Sequence, residues 1–185
     1  MTLNTEKENL EVALTSLDLN GFYEVADELC WQKHHITEST CTSTWRSNDM
    51  DAIVTWFQVD ATYGAFIIKG TDADLMISDL ALAFELLDDV AVLQEIAGAS
   101  NPLELVKWAS RLGPFAAGDF QESTLDVILG LLNSERPDFV AAMVSGLQCA
   151  RWPELRAPLA LVAVKYPTLS TLCEVGLSSI ASYEK

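Results

Sequence analysis

Basic side chains are scarce in this 185-residue chain: 11 Lys and Arg stand against 27 Asp and Glu, a net charge of −16. That scarcity argues against nucleic acid, whose phosphates need a Lys/Arg footprint, and against anionic membrane surfaces. Histidine is scarcer still. His34 and His35 are the only two; adjacent residues on a strand point to opposite faces, so they cannot both ligate one metal. Any Ser/Cys-His-Asp triad would have to draw its base from this pair. The sequence has no Gly-x-Ser-x-Gly elbow and no glycine-rich phosphate loop, which removes the usual signatures of acyl and phosphoryl transfer. The four cysteines, Cys30, Cys41, Cys149 and Cys173, show no Cys-x-x-Cys spacing and read as free thiols of a reducing compartment. Cys149 and Cys173 sit at apolar helical positions, where a thiol packs as a small hydrophobe. No apolar run approaches the ~20 residues that cross a bilayer. The opening MTLNTEKENLEV has neither a basic n-region nor an apolar h-region. The expectation is a cytoplasmic protein that is not an enzyme and holds no cofactor or metal.

Two metal sites can still be drawn. Cys30 and Cys41 with one of the histidines match no standard zinc spacing. Asp72-Ala73-Asp74 has the form of a cation-binding Asp-x-Asp pair, but it lies where a helix begins, and carboxylates there cap backbone N–H groups and favour the dipole.

What is present is a change of grammar near residue 98. Thr5 and Glu8 have capping-box spacing and predict an N-terminal helix carrying Leu10, Val12, Leu14 and Leu17, stopped by Asn20-Gly21. Phe22 to Trp31 reads as a short second helix. His35 to Arg46 has the polar alternation of an exposed strand, Ala52 to Val59 is dense in β-branched and aromatic residues, and Ala65 to Lys69 follows after a turn. This predicts a three-stranded antiparallel meander. Asp72 to Gly98 predicts a helix covering the sheet. Its stripe Met76, Ile77, Leu80, Phe84, Leu87 and Ala91 faces inward, Leu82, Leu86 and Val90 widen the apolar arc, and Asp88-Asp89 marks a break. Asp79 falls inside that arc, where it would need a partner if buried.

After residue 101 come all six prolines, most at helix starts. Asn101-Pro102, Gly118-Asp119, Pro137, Pro153 or Pro158, and Pro167 predict about five short antiparallel helices in a stack. Pro158 requires a kink or a late start. Pro137, Phe139, Met143, Gly146, Leu147 and Ala150 recur thirty residues on as Pro167, Leu169, Cys173, Gly176, Leu177 and Ile180. Gly146 and Gly176 cost about 1 kcal/mol each inside a helix, which predicts close helix approach as compensation. On this period and proline placement, residues 101–182 resemble HEAT/armadillo-like helical repeats. The resemblance implies a scaffold for protein contacts with no chemistry attached. The expected fold is therefore α+β: an acidic α/β half (1–98) with an N-terminal helix, a three-stranded meander and a covering helix, then a helical-repeat-like half (99–185), packed as one compact unit.

Charge is distributed unevenly. Residues 1–98 hold 18 acids and 4 bases, while 99–185 hold 9 and 7; an acidic surface promotes solubility, but such asymmetry also points to a basic protein partner. The leading expectation is an immunity or antitoxin-type protein neutralising a basic toxin. The alternatives are an acidic secretion chaperone or a metal-dependent hydrolase using Asp72/Asp74 or His34/His35. The expected partner-binding surface comprises Asp49, Asp51, Asp60, Glu85, Asp88 and Asp89, with Trp45, on a Ser/Thr-rich strand, as a partly exposed anchor.

Overall fold

A computed structural model of the chain describes residues 9–16, 19–37, 42–47 and 50–183. The fold is mixed α/β, with one five-stranded antiparallel sheet and, among the described residues, eight α-helices. It divides into two compact units, residues 1–86 and 87–185. The division falls inside the stretch Asp72–Gly98.

The first unit runs β1 (Asn9–Thr15), α1 (Leu19–Glu28), β2 (Gln32–Thr37), β3 (Thr42–Arg46), β4 (Ala52–Gln58), β5 (Gly64–Gly70) and α2 (Ala73–Ala83). The sheet order is β2-β3-β4-β5-β1, and the two-residue β6 (Leu86–Leu87), where the unit ends, is next to β1 in that order. Two expectations are corrected here. The segment expected as an N-terminal helix is strand β1 over Asn9–Thr15, paired in register from Asn9↔Gly70 to Thr15↔Gly64. The helical reading rested on local spacing, whereas Leu10, Val12 and Leu14 also alternate with period two, and pairing supplies β5 with partners for backbone groups otherwise left at an edge. Thr5 and Glu8, the proposed cap, lie outside the described residues. The single exposed strand expected over His35–Arg46 is two antiparallel strands, β2 and β3, with a register irregularity between Lys33 and His35. The sheet thus has five full strands, with the two-residue β6 beside them, where the sequence suggested three. Asn20-Gly21, expected as a stop, lies in the first turn of α1.

Sequential strands β2 to β5 form the meander, and α1 carries the chain from β1 to the far edge. The alternation of β4 and β5 puts Ala52, Val54, Trp56, Phe66 and Ile68 on one face. Phe22 and Ala26 of α1 and Ala73, Met76 and Leu80 of α2 pack into the same core, with Trp31 and Trp45. Aromatic contacts organise it: Phe22 stacks on Trp56 at 5.1 Å between centroids, Trp45 meets Phe22 edge-on at 5.9 Å, and Phe66 meets Trp56 at 5.1 Å. Such pairs contribute about 0.5–1.5 kcal/mol each beyond their buried area. Gly64 is required by this packing, since a Cβ there would overlap the six-membered ring of Trp56.

Helix α2 covers the sheet as expected but ends at Ala83, with Phe84 extended (φ −132°, ψ 149°). Phe84 turns back toward Phe66, 6.4 Å away. The widened apolar arc is corrected as well: Leu82 is 89 % exposed and Val90 55 %.

The second unit contains α3 (Asp89–Gly98), α4 (Pro102–Leu112), α5 (Glu122–Leu132), α6 (Pro137–Gly146), α7 (Arg156–Lys165) and α8 (Ser170–Tyr183). The break expected at Asp88-Asp89 is the start of α3, where the Asp88 carboxylate accepts from Ala91 N at 2.8 Å. Asn101 caps α4 by accepting from Leu103 N and Glu104 N, both at 3.0 Å. Glu104 reaches back to Ser100 N at 3.0 Å and Ser100 Oγ at 3.1 Å. These Ser100 bonds hold the Glu104 carboxyl below its ordinary pKa. Pro153 opens a 3₁₀ turn and Pro158 falls in the first turn of α7, where a missing N–H breaks no helical bond. Helix α5 begins at Glu122, later than the Gly118-Asp119 start expected. Phe120 is left outside the helix, packed edge-on against Trp152 at 5.3 Å, while Trp152 Nε1 donates to Gly118 O at 2.9 Å.

The core of this unit includes Ile128, Val140, Met143, Leu147, Leu155, Leu159, Cys173 and Ile180. Helix α4 packs on α6, and α7 on α8. Both glycines behave as expected. A Cβ on Gly146 would strike Ser110 O, and one on Gly176 would lie 3.1 Å from Leu147 O and 3.2 Å from Leu159 Cδ1. Cys173 is fully buried, and desolvation raises the thiol pKa of Cys173 and pushes that of Cys149 to about 11. Both thiols are therefore protonated and inert near neutrality.

Candidate functional site

Most of the acidic residues expected to meet a partner hold the fold together. The Asp60 carboxylate accepts from Thr62 N at 2.7 Å, Thr62 Oγ1 at 2.8 Å and Tyr63 N at 2.9 Å, closing the β4–β5 turn. Asp51 Oδ2 accepts from Thr71 Oγ1 at 3.1 Å. Asp88 caps α3, and Asp89 Oδ2 accepts from the buried Thr124 Oγ1 at 2.8 Å. Glu85 is exposed. Asp49 lies outside the described residues, as does Cys41, and the side chains of His34 and His35 are not described. Trp45 is corrected: it is 5 % exposed, because its Ser/Thr-rich strand is covered on that face by Phe22 and Tyr23 of α1. Asp72 sits at the N-cap of α2 without making the cap bond; its carboxylate accepts from Asp51 N at 2.8 Å instead. Asp74 Oδ2 accepts from Asn9 Nδ2 at 3.4 Å. Among the described residues no group of three His, Cys, Asp or Glu side chains is placed to hold a metal ion, and no helix is long and apolar enough to cross a membrane.

The first unit contains a cavity of about 270 Å³ beside its core. The end of α1 supplies Val25, Glu28 and Leu29, and Trp31 follows. The β3–β4 connection supplies Ser47 and Met50, and α2 with its following residue supplies Met76, Asp79, Leu80 and Phe84. The floor is apolar: Trp31, Met76 and Leu80 are 7 %, 3 % and 2 % exposed. Glu28, Leu29 and Asp79 are exposed at the rim. Among the described residues no Lys, Arg or His lines the cavity.

Backbone chemistry sets each wall. Helix α1 ends in a Schellman motif, with Trp31 N donating to Ala26 O at 2.9 Å and Cys30 N to Asp27 O at 3.1 Å. The motif places Cys30 at φ +54°, a left-handed conformation that costs a side chain about 1 kcal/mol. Cys30→Gly is therefore expected to stabilise the protein by about 1 kcal/mol, read as a higher denaturation midpoint with unchanged m-value; a lower midpoint would contradict this account of the turn. On the second wall, Met50 N donates to Ser47 Oγ at 3.2 Å. Asp51 and Asp72 clasp that connection to α2 by a reciprocal pair, Asp51 N to Asp72 Oδ2 at 2.8 Å and Asp72 N to Asp51 O at 3.3 Å. Gly70 (φ +149°) lies against the clasp, and a Cβ there would meet Asp51 O.

Chemically, the site offers apolar volume and negative charge. Among the described residues its lining holds no histidine, cysteine or lysine. The acids of α1, Glu24, Asp27 and Glu28, are exposed, as are Asp74 and Asp79 of α2, and neither helix contains a base. The sequence reading missed this constellation. The stretch between Lys7 and Lys33 has no Lys or Arg, which reports the acidity of α1 but not the cavity.

No protein-family model, curated protein or solved structure matches the chain.

Proposed function

We propose that the chain is a non-enzymatic protein-binding module that neutralises a partner with a basic surface, in the manner of an immunity or antitoxin protein. The observation that carries this reading is the cavity of the first unit, largely apolar inside, whose charged lining among the described residues is Glu28 and Asp79. A site of this kind suits a large apolar side chain with Lys or Arg beside it, the apolar group filling the cavity while the cation meets Glu28 and Asp79. Two methionines, Met50 and Met76, line it and give the wall room to adapt to the inserted group. The charge of the whole unit supports the same reading, with 15 acids and 4 bases in residues 1–86; such a field speeds encounter with a cationic surface. The helices of the second unit act as a scaffold, the role that its likeness to helical repeats implies.

Co-purification from the native host tests the proposal. A stoichiometric basic partner is expected, retained at low salt and released as salt rises. A protein carrying Glu28→Gln and Asp79→Gln should retain less of it. Recovery of no stoichiometric partner, of an acidic one, or of the same partner equally well by the variant would overturn the proposal.

A further inference from the structure

We infer that, when the partner is absent, the cavity of the first unit is covered by helix α7 of a second copy of the chain. The inference rests on the proposed function in one respect, that the cavity is a binding site for an apolar surface bearing cations. The chain itself displays such a surface.

Helix α7 is apolar on two sides. Leu159 and Val162 point into the second unit and are buried. On the other side Ala157, Ala160, Leu161 and Val164 are all exposed, Leu161 at 70 % and Val164 at 81 %. Their spacing of i, i+3, i+4 and i+7 is that of a helix face prepared for burial. Arg156 and Lys165 stand at the two ends of this stripe, both exposed, and no acid lies between them. Among the described helices the combination is peculiar to α7: the exposed faces of α3, α5, α6 and α8 carry an acid, and that of α4 carries Glu104 beside Leu103.

The two surfaces are complementary term by term. The cavity offers an apolar interior, carboxylates at its rim and, among the described residues, no base; α7 offers aliphatic side chains, a base at each end and no acid. Helix α2 extends the match beyond the rim, exposing Leu75 and Leu82 with Asp74 and Asp79 beside them. Leu75 and Leu82 are seven positions apart, as are Ala157 and Val164, about 10 Å of helix in each case. Laid antiparallel, such helices bring Asp74 toward Lys165. At about 270 Å³ the cavity takes the side chain of Leu161, not a whole helix, so the rest of the stripe lies across the rim and along α2. Each copy carries both surfaces, so a second copy can supply an α7 to the cavity of the first. Self-association and partner binding then compete for the same carboxylates.

Sedimentation velocity on the full chain tests the inference with three proteins: wild type, Leu161→Asp/Val164→Asp, and Glu28→Lys/Asp79→Lys. All the substituted positions are exposed, and retained far-UV dichroism confirms folding. Wild type is expected to associate at concentrations of about 10–100 µM, and each variant alone is expected to be monomeric. An equimolar mixture of the two variants regains a pair, since one keeps its cavity and the other its α7. A wild type that stays monomeric up to about 1 mM, or association that persists in either variant, overturns the inference. The α7 variant keeps its cavity intact, so it still binds a basic partner if the proposed function holds, and with higher apparent affinity because no copy competes. Loss of pairing without any partner affinity at the cavity would leave the self-association standing and remove the partner reading.

Discussion

Replacing Gly146 by alanine is expected to destabilise the protein by about 2–3 kcal/mol, near the top of the range for overpacking. At the crossing of α4 and α6 the new Cβ would run into Ser110 O and lie 3.1 Å from Gly113 Cα. Both obstacles are backbone, so no side chain can swing aside, and the two helices must separate to admit one methyl group. The loss outweighs the gain of about 1 kcal/mol that alanine brings through helix propensity. Gly130 supplies the control. It lies within α5 with nothing within 4 Å of its would-be Cβ, so Gly130→Ala should gain up to about 1 kcal/mol. Opposite signs in chemical denaturation are the expected result; equal signs would refute the close contact at Gly146.

The second large effect concerns binding. Met50→Trp places a bulky ring in the mouth of the cavity from the β3–β4 connection, where Met50 is half-buried. It leaves the charge of the rim untouched. Partner affinity should fall at least about 30-fold, the loss that about 2 kcal/mol at a hot spot represents, with little change in melting temperature. Neutralising Glu28 and Asp79 acts differently. Both are exposed, and screened surface pairs are weak, so affinity should fall about tenfold at low salt and hardly at all near 1 M, where the Debye length is about 3 Å. Titration calorimetry at two salt concentrations separates the effects. A plugged cavity that still binds at full strength would leave only the charge to account for recognition.

How much of this could be read from the residues depends on the range of the forces involved. Asn101, Pro102 and Glu104 announce a helix start through bonds spanning four residues, and the structure places the cap there. Ala52–Gln58 and Gly64–Gly70 are strands because their side chains fit a buried pleat, again a local property. Asn9–Thr15 is different. Its residues satisfy both periods, and the choice is made by β5, 49 to 61 positions away along the chain. Trp45 was misread for a related reason: its strand is polar, but the helix lying over it is not. The cavity could not be read at all. It requires the end of α1, a turn between strands and the middle of α2 to converge, and nothing in the spacing of Glu28, Met50 and Asp79 reports that meeting.

The fit between Gly64 and Trp56 ties the two positions together as a pair. Trp56 Nε1 is buried and, among the described residues, has no hydrogen-bond partner, so the indole is held by shape and ring stacking. Any side chain at position 64 would occupy the place of its six-membered ring. A larger residue can enter at 64 only after position 56 has become smaller, so the order in which substitutions arise at these two sites is constrained. The first step along that route empties the centre of the aromatic core, and only the second refills it. Divergent forms of this unit should therefore differ at both positions or at neither.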